Sequence, residues 1–306
     1  MKQTKILVAG LVNLEVTLRV EGFPIDYSPV RYPFFGVNSS FSGVGLNVAR
    51  ALVTLGQEIE FLSLIGKDWA GHAALAELEA SGIPTRYVLP QLANLPHSVI
   101  LYEGSGRRQI NTDLKDIQDQ VYPVVHLEAA LQGCHLAAIC NINFARPFLE
   151  VAQAAGVPIA TDVHVIRDLD DPYNRDYMAA ATLLFMSNEG LPCPPEEWAL
   201  RVQERYQTPV IVIGLGREGA LLVVRADGFL GRFPALYTRL VQNSVGAGDA
   251  LFSAFVHCYA QQPDPYRALQ RAQVFASYKI GAVSGSDGFL SAPELDTWCQ
   301  QAQPLA

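Results

Sequence analysis

The stretch Asn243-Ser244-Val245-Gly246-Ala247-Gly248-Asp249-Ala250-Leu251 puts two glycines and a carboxylate where a loop hands over to a helix. Glycines at such a start let the first main-chain N–H groups face an anion with no side chain in the way. Leu251, Phe252, Phe255, Val256 and Tyr259 recur at helical spacing, with no Gly or Pro between Asp249 and Ala260. Asp249 therefore belongs to the first turn, where the helix dipole favours its ionised form. A carboxylate beside an anion cradle is suited to take a proton from a hydroxyl that attacks phosphorus. The same residues also make a plain glycine turn whose acidic residue only helps a helix start. Taken alone, they leave both readings open.

Other polar groups stand where strands or helices end. Lys5 to Gly10 is a short apolar run closing on glycine, as a buried strand of a parallel sheet would. Ligands of open α/β sheets bind beyond the strands' carboxyl ends, so Asn13 and Glu15 are candidates for substrate contact, although two polar residues in a surface loop would look the same. Ser42-Gly43-Val44-Gly45-Leu46-Asn47 opens a second helix, in which Gly43 allows close approach to backbone and Asn47 both donates and accepts. Asp162, His164 and Arg167 follow one apolar run, and Asn188 and Glu189 follow another. Gly214-Leu215-Gly216-Arg217-Glu218-Gly219 spells the dinucleotide fingerprint after a strand. That motif requires a helix next and an acidic residue about twenty positions on. Here Ala220 to Arg225 is a β-branched run leading to the turn Asp227-Gly228 and a returning strand, which argues against a dehydrogenase.

Gly246-Ala247-Gly248-Asp249 resembles the C-terminal signature of the ribokinase-like sugar kinases of the phosphofructokinase-B type. The resemblance implies a three-layer α/β/α fold with a mainly parallel central sheet and a small β lid, and ATP with Mg²⁺ as cofactors. It assigns the anion hole to the amides of Gly246, Ala247 and Gly248, and the base to Asp249. Asn13-Leu14-Glu15 is similar to the family's Asn-x-Asp, which grips sugar hydroxyls. Gly43 and Asn47 match its Gly-Gly-x-x-x-Asn, with Val44 at the second glycine. Asp162 and Arg167 are similar to its Asp-x-Asn-x-Arg, with His164 at the Asn place and one residue inserted before Arg167. Asn188 and Glu189 resemble the start of Asn-x-x-Glu, tied to the magnesium and phosphate network, with Leu191 at the closing carboxylate. Metal handling is thereby expected from Glu189 or from ATP itself. Gly214, Gly216 and Gly219 are expected to border ATP, and Ala272, Ala276 and Gly281 to offer small surfaces to adenine. The family's usual Asp-Thr is Asn243-Ser244 here, so the aspartate near the monovalent-cation site of some members is missing.

The elements that must hold these residues follow from pattern. His135-Ile139, Pro158-Thr161, Leu183-Met186 and Pro209-Gly214 are apolar runs separated by helical stretches such as Pro147-Ala155 and Pro195-Tyr206, an alternation that implies βαβ units. Pro24-Ser40 and the segments Thr85-Val88, Ser98-Tyr102 and Gln109-Asn111 read instead as short strands and turns. The resemblance makes residues 16–40 and 85–112 a lid over the sugar, one that often packs against a second subunit as a homodimer. Arg107 and Arg108 in the lid turn suit either an anionic substrate or plain solvation.

The 306 residues, half of them hydrophobic, suffice for one kinase domain spanning 1–306 with this lid as an appendage. A net charge of −8 and a pI near 5.3 argue against nucleic acid as a partner. Cys134, Cys140, Cys193, Cys258 and Cys299 show no paired spacing, and no apolar run reaches membrane-spanning length. A cytoplasmic protein acting on a small molecule is expected. The readings are a sugar kinase, a nucleoside kinase with Phe35 and Tyr102 clamping a base, or a kinase-derived binding or regulatory protein.

Overall fold

Short β-branched runs become buried strands and the amphipathic segments between them become helices. The structure, a computed structural model, describes residues 4–104, 107–242, 244–282 and 284–304. In the first part of the chain come β1 (Lys5–Ala9), β2 (Asn13–Arg19), β3 (Val37–Ser42), α1 (Val44–Thr54), β4 (Glu58–Gly66), α2 (Trp69–Ala80) and β5 (Tyr87–Leu92). Next are β6 (His97–Tyr102), β7 (Arg108–Asp113), α3 (Val124–Leu131), β8 (Leu136–Ile139), α4 (Pro147–Ala154), β9 (Ile159–Asp162) and α5 (Arg175–Ala180). The last part holds β10 (Leu183–Ser187), α6 (Pro195–Tyr206), β11 (Val210–Gly214), β12 (Ala220–Val224), β13 (Phe229–Phe233), α7 (Ala247–Gln261), α8 (Pro265–Lys279) and α9 (Ala292–Gln301).

One nine-stranded sheet runs β13-β12-β11-β10-β9-β8-β1-β4-β5. Its strands pair in parallel from β11 to β5, while at the other edge β12 pairs antiparallel with β11 and β13 antiparallel with β12. Alternation along each strand feeds two cores. Ile6 and Val8 of β1 face a cluster with α1, α2, α7, α8 and α9, while Leu7 and Ala9 face one with α3 to α6. The result is the expected three-layer α/β/α arrangement. The chain leaves β1 toward β4 on one side and returns through β8 on the other, so the crevice at the strands' carboxyl ends opens between β1 and β8.

A second sheet runs in the order β3-β2-β6-β7, and from it Arg108 donates to the Ser244 hydroxyl just ahead of α7 at 2.7 Å. Its membership differs from expectation in one segment. Residues 87–92 form β5, which pairs in parallel with β4 at the edge of the main sheet, and its Tyr87, Val88 and Leu92 are buried in the two cores. The small sheet expected as a lid is therefore built by β2, β3, β6 and β7, starting at Asn13. Part of the turn joining β6 and β7, at Ser105 and Gly106, lies outside the described residues.

In register, Glu15 pairs with Ser40 and Ser98, Ser98 with Thr112, and Ile100 with Ile110. Cross-strand partners share a face, so Asn13, Glu15, Ser42, Ser98, Thr112 and Arg108 line one side of the lid. Val37 and Val99 stand on the other, both exposed.

Candidate active site

The N-terminus of α7 meets the N-terminus of α1 at the mouth of the crevice. Gly246 caps α7 at φ 76°, a left-handed conformation that glycine adopts without strain. A Cβ on Gly246 would lie 2.5 Å from the Gly285 carbonyl oxygen, so the loop passes tightly over the segment after α8. The Ala250 amide donates to the Gly246 carbonyl at 3.0 Å and starts the regular helix. Among the described residues, no acceptor takes the amides of Gly246, Gly248 or Asp249. The Ala247 amide donates to the Ser244 carbonyl at 3.2 Å, closing the turn. This engagement corrects the expectation that Ala247 contributes a free anion-hole donor. Asn243, the departure ahead of this loop, lies outside the described residues.

Asp249 sits in the first turn of α7, and Asn47 Nδ2 donates to its Oδ2 at 2.7 Å. Asn47 Oδ1 in turn accepts from the Ser42 hydroxyl at 3.2 Å, and the Asn47 amide donates to the Gly43 carbonyl at 2.8 Å. Desolvation pushes the Asp249 carboxyl above the usual carboxylate range, with the charge of Asp162 adding to it. The Asn47 bond and the charges of His164 and Lys279 act the other way.

Close backbone approach explains the glycines of α1. A Cβ on Gly45 would lie 2.4 Å from the Gly10 carbonyl carbon, and one on Gly43, at φ 107°, would lie 2.6 Å from the Leu11 carbonyl oxygen. Val44 begins α1 and is absent from the positive-φ positions, so a β-branched residue in place of glycine costs the backbone no strain there.

The lid's inner face brings Asn13 and Glu15 over Asn47 and Asp249. Glu15 is 5% exposed and Asn13 is 3% exposed, yet Glu15 Oε1 and Asn13 Oδ1 have no hydrogen-bond partner. Asn13 Nδ2 donates to the Ser98 hydroxyl. Burial raises the Glu15 carboxyl, which Ser42 and Lys279 oppose and Asp249 reinforces. Two buried acceptors on this inner face thus stand without donors, an arrangement that is costly in a folded interior.

Asp162, at the end of β9, lies across from the start of α7, its Oδ2 3.9 Å from where a Gly248 Cβ would stand. Its Oδ1 accepts from the His164 amide at 2.8 Å, and His164 itself adopts φ 59°. Arg167 is exposed and packs its guanidinium against Gly190, where a Cβ would meet Nη2 at 2.6 Å. Thus Arg167 adjoins the Asn188-Glu189 turn. In that turn the Asn188 amide donates to the Gly214 carbonyl at 3.0 Å, joining the ends of β10 and β11, while Leu191 packs on the core. Glu189 is exposed, and among the described residues no three His, Cys, Asp or Glu side chains converge as a metal would require.

Of the glycines after β11, Gly216 (φ 59°) faces open space, whereas a Cβ on Gly219 (φ 102°) would lie 2.0 Å from the Phe233 carbonyl oxygen. Gly219 is therefore required by packing. Gly214 pairs with Ala220 in the antiparallel β11-β12 hairpin, so no crossover helix follows and the dinucleotide reading is excluded by topology. On α8, Ala272 is fully buried and Arg239 covers Gly281, with Nε 2.3 Å from a Cβ position there. That corrects the expectation of three small surfaces and leaves Ala276, which is partly exposed.

Sequence reading missed Lys279, Ser98 and Ser42. Lys279 is completely buried on α8, and its Nζ donates to the Val245 carbonyl and, at 2.8 Å, to the Ser284 carbonyl. The available signal was a lysine continuing the apolar face of Leu269, Ala272 and Ala276 at helical spacing.

Comparison with known proteins agrees with this geometry. The family described as "pfkB family carbohydrate kinase" matches residues 3–292. The chain is 24% identical to a deoxyribokinase of Salmonella typhi over 303 residues, covering 90% of this chain and 92% of that protein. It is 25% identical to an ATP-dependent ribose-1-phosphate kinase of Halopiger xanaduensis over 297 residues, covering 95% and 96%. Among solved structures, a microbiome-derived acarbose kinase superposes with a TM-score of 0.87 at 23% identity, over 98% of this chain and all of that one. A putative ribokinase from Agrobacterium tumefaciens gives 0.86 at 20% identity, over 97% and 98%. A nearly full-length family match, on a chain whose fold and paired helix starts suit phosphoryl transfer, settles the assignment: this protein belongs to the pfkB family of carbohydrate kinases and is an ATP-dependent kinase of a small substrate.

Proposed function

We propose that the protein transfers the γ-phosphoryl group of ATP to a hydroxyl of a sugar or sugar-derived acceptor, with Asp249 as the base. The observation that carries this reading is the 2.7 Å bond from Asn47 to Asp249 beside the open amides of Gly246 and Gly248. Asn47 occupies one carboxylate oxygen and orients the other toward the acceptor hydroxyl, which gives up its proton as it attacks phosphorus. The amides of Gly246 and Gly248 then meet the charge that grows on the equatorial oxygens, where fixed donors act most strongly. Glu15 Oε1 and Asn13 Oδ1 accept from other hydroxyls of the same molecule and hold its orientation. Asp162, across from Gly248, completes the acceptor side.

The nucleotide's place is between Gly216, Asn188 and Ala276, with Arg167 on the phosphate side. Glu189 is the chain's own carboxylate that would help hold Mg²⁺ arriving with the nucleotide. When bound, Mg²⁺ neutralises the phosphate charge. Among the described residues, no helix is long and apolar enough to cross a membrane. The exposed outer face of the lid, with Val37 and Val99, supports a homodimer through that sheet.

A panel of sugars, sugar acids, sugar phosphates and nucleosides, assayed for ATP-dependent phosphorylation, tests the reading. At least one polyhydroxylated acceptor should turn over, and Asp249→Asn should lower its kcat by about a hundredfold or more with ATP affinity largely kept. Full activity in that variant would contradict the assignment of the base.

A further inference from the structure

Lys279 is the one Asp, Glu, Lys or Arg side chain among the described residues with no exposure at all. A buried ammonium ordinarily pairs with a carboxylate, because an unpaired charge in the interior is costly. Here its hydrogen-bonded partners are two main-chain carbonyls, Val245 in the loop before α7 and Ser284 in the segment after α8. The carboxylates of Asp249, Glu15 and Asp287 act on it only through their field, and Arg108 from the lid opposes them. Two carbonyls from separate segments thus converge on one internal point. Convergent carbonyl oxygens are also the ligands by which proteins hold potassium, whose size is close to that of ammonium.

The Val245 carbonyl belongs to the same peptide group as the Gly246 amide. In a planar trans peptide the C=O and N–H point in opposite directions. Holding the Val245 oxygen against Lys279 therefore aims the Gly246 N–H away from α8. The Ser284 contact ties that peptide to the segment whose Gly285 carbonyl packs against Gly246.

We propose that Lys279 is a positioning residue that acts as a built-in monovalent cation, clamping the Val245 and Ser284 carbonyls so that the Gly246 amide faces the transferring phosphoryl group without added K⁺ or NH₄⁺. This inference rests on the anion-loop reading above, and the experiment separates the two.

Initial rates are measured for the wild type, Lys279→Ala and Lys279→Met in choline-based buffer, with and without potassium or ammonium chloride. The wild type should be indifferent to the cation. Lys279→Ala should lose about tenfold or more in kcat, with KM for ATP and acceptor changed far less, as expected when a group aligns transition-state donors. Ammonium or potassium should restore at least about fivefold of that loss by entering the vacated space between the two carbonyls. Lys279→Met, whose thioether stem fills that space, should be impaired and not rescued.

A several-fold stimulation of the wild type by potassium or ammonium overturns the proposal, because the cation position would then not be filled from within. Wild-type kcat in Lys279→Met overturns it too. If Lys279→Ala does not fold, as judged by its melting curve, the wild-type cation exchange and Lys279→Met decide. Activity retained by Asp249→Asn would instead defeat the reading of the base and leave the wild-type cation result standing on its own.

Discussion

Asn47 and Asp249 are 202 positions apart in the chain and joined by a 2.7 Å hydrogen bond between the first turns of two helices. The bond links the start of α1 to the group proposed to take the proton, so it fixes the direction of that carboxyl and lowers its pKa against the larger upward push of desolvation.

Removing the donor should therefore move the pH profile. Desolvation raises the Asp249 carboxyl and the Asn47 bond lowers it, so Asn47→Ala lets it rise further. A base must be ionised to act, and the acid limb of kcat/KM should shift to higher pH with the alkaline limb unmoved. At neutral pH a loss of about tenfold is expected, the worth of one such hydrogen bond. An acid limb unchanged from wild type would remove Asp249 as the titrating group.

The buried, unpartnered oxygen of Glu15 predicts a binding effect. Glu15→Gln keeps the volume and halves the accepting capacity, so KM for the acceptor should rise by about tenfold while kcat stays within about threefold. An acceptor that reaches neither Glu15 nor Asn13 would leave KM unchanged.

Gly246 and Gly248 should respond differently to alanine. At Gly246 the φ of 76° and a Cβ 2.5 Å from the Gly285 oxygen both oppose a side chain, and Gly246→Ala should cost about 1–3 kcal/mol of stability. At Gly248 the nearest atom to a Cβ is 3.9 Å away, and the melting temperature should hardly change. The new methyl stands beside the open amides, so Gly248→Ala should still lose activity. Full activity in Gly248→Ala would mean that no anion approaches this turn.

The lid's outer face predicts an assembly. Val37 is 54% and Val99 42% exposed on the face turned away from the crevice. Val37→Glu with Val99→Glu should convert a dimer into a monomer in light scattering, with the fold intact by circular dichroism, since like charges would oppose the apolar contact. A wild type that is monomeric at micromolar concentration would contradict the lid interface.

Much of this protein is legible from sequence because the signals are local. The apolar runs from Lys5 and from Pro209 and the glycine before α7 each depend on residues a few positions apart, and each forms as its pattern requires. The rejection of a dinucleotide site also needed only the β-branched run after Gly219. Tertiary structure decided whatever depends on neighbours distant in the chain. Thr85-Val88 has the look of another lid strand, and only pairing with β4 places Tyr87 and Val88 in the main sheet. Gly281 looks like an open surface until Arg239 covers it, and Ala247 looks like a free donor until Ser244 folds back to accept from it. Lys279 reads as the end of an amphipathic helix, and its role appears only when loops from two other parts of the chain turn their carbonyls toward it. Period and propensity report on one element at a time, whereas burial and hydrogen-bond partners are properties of the assembled chain.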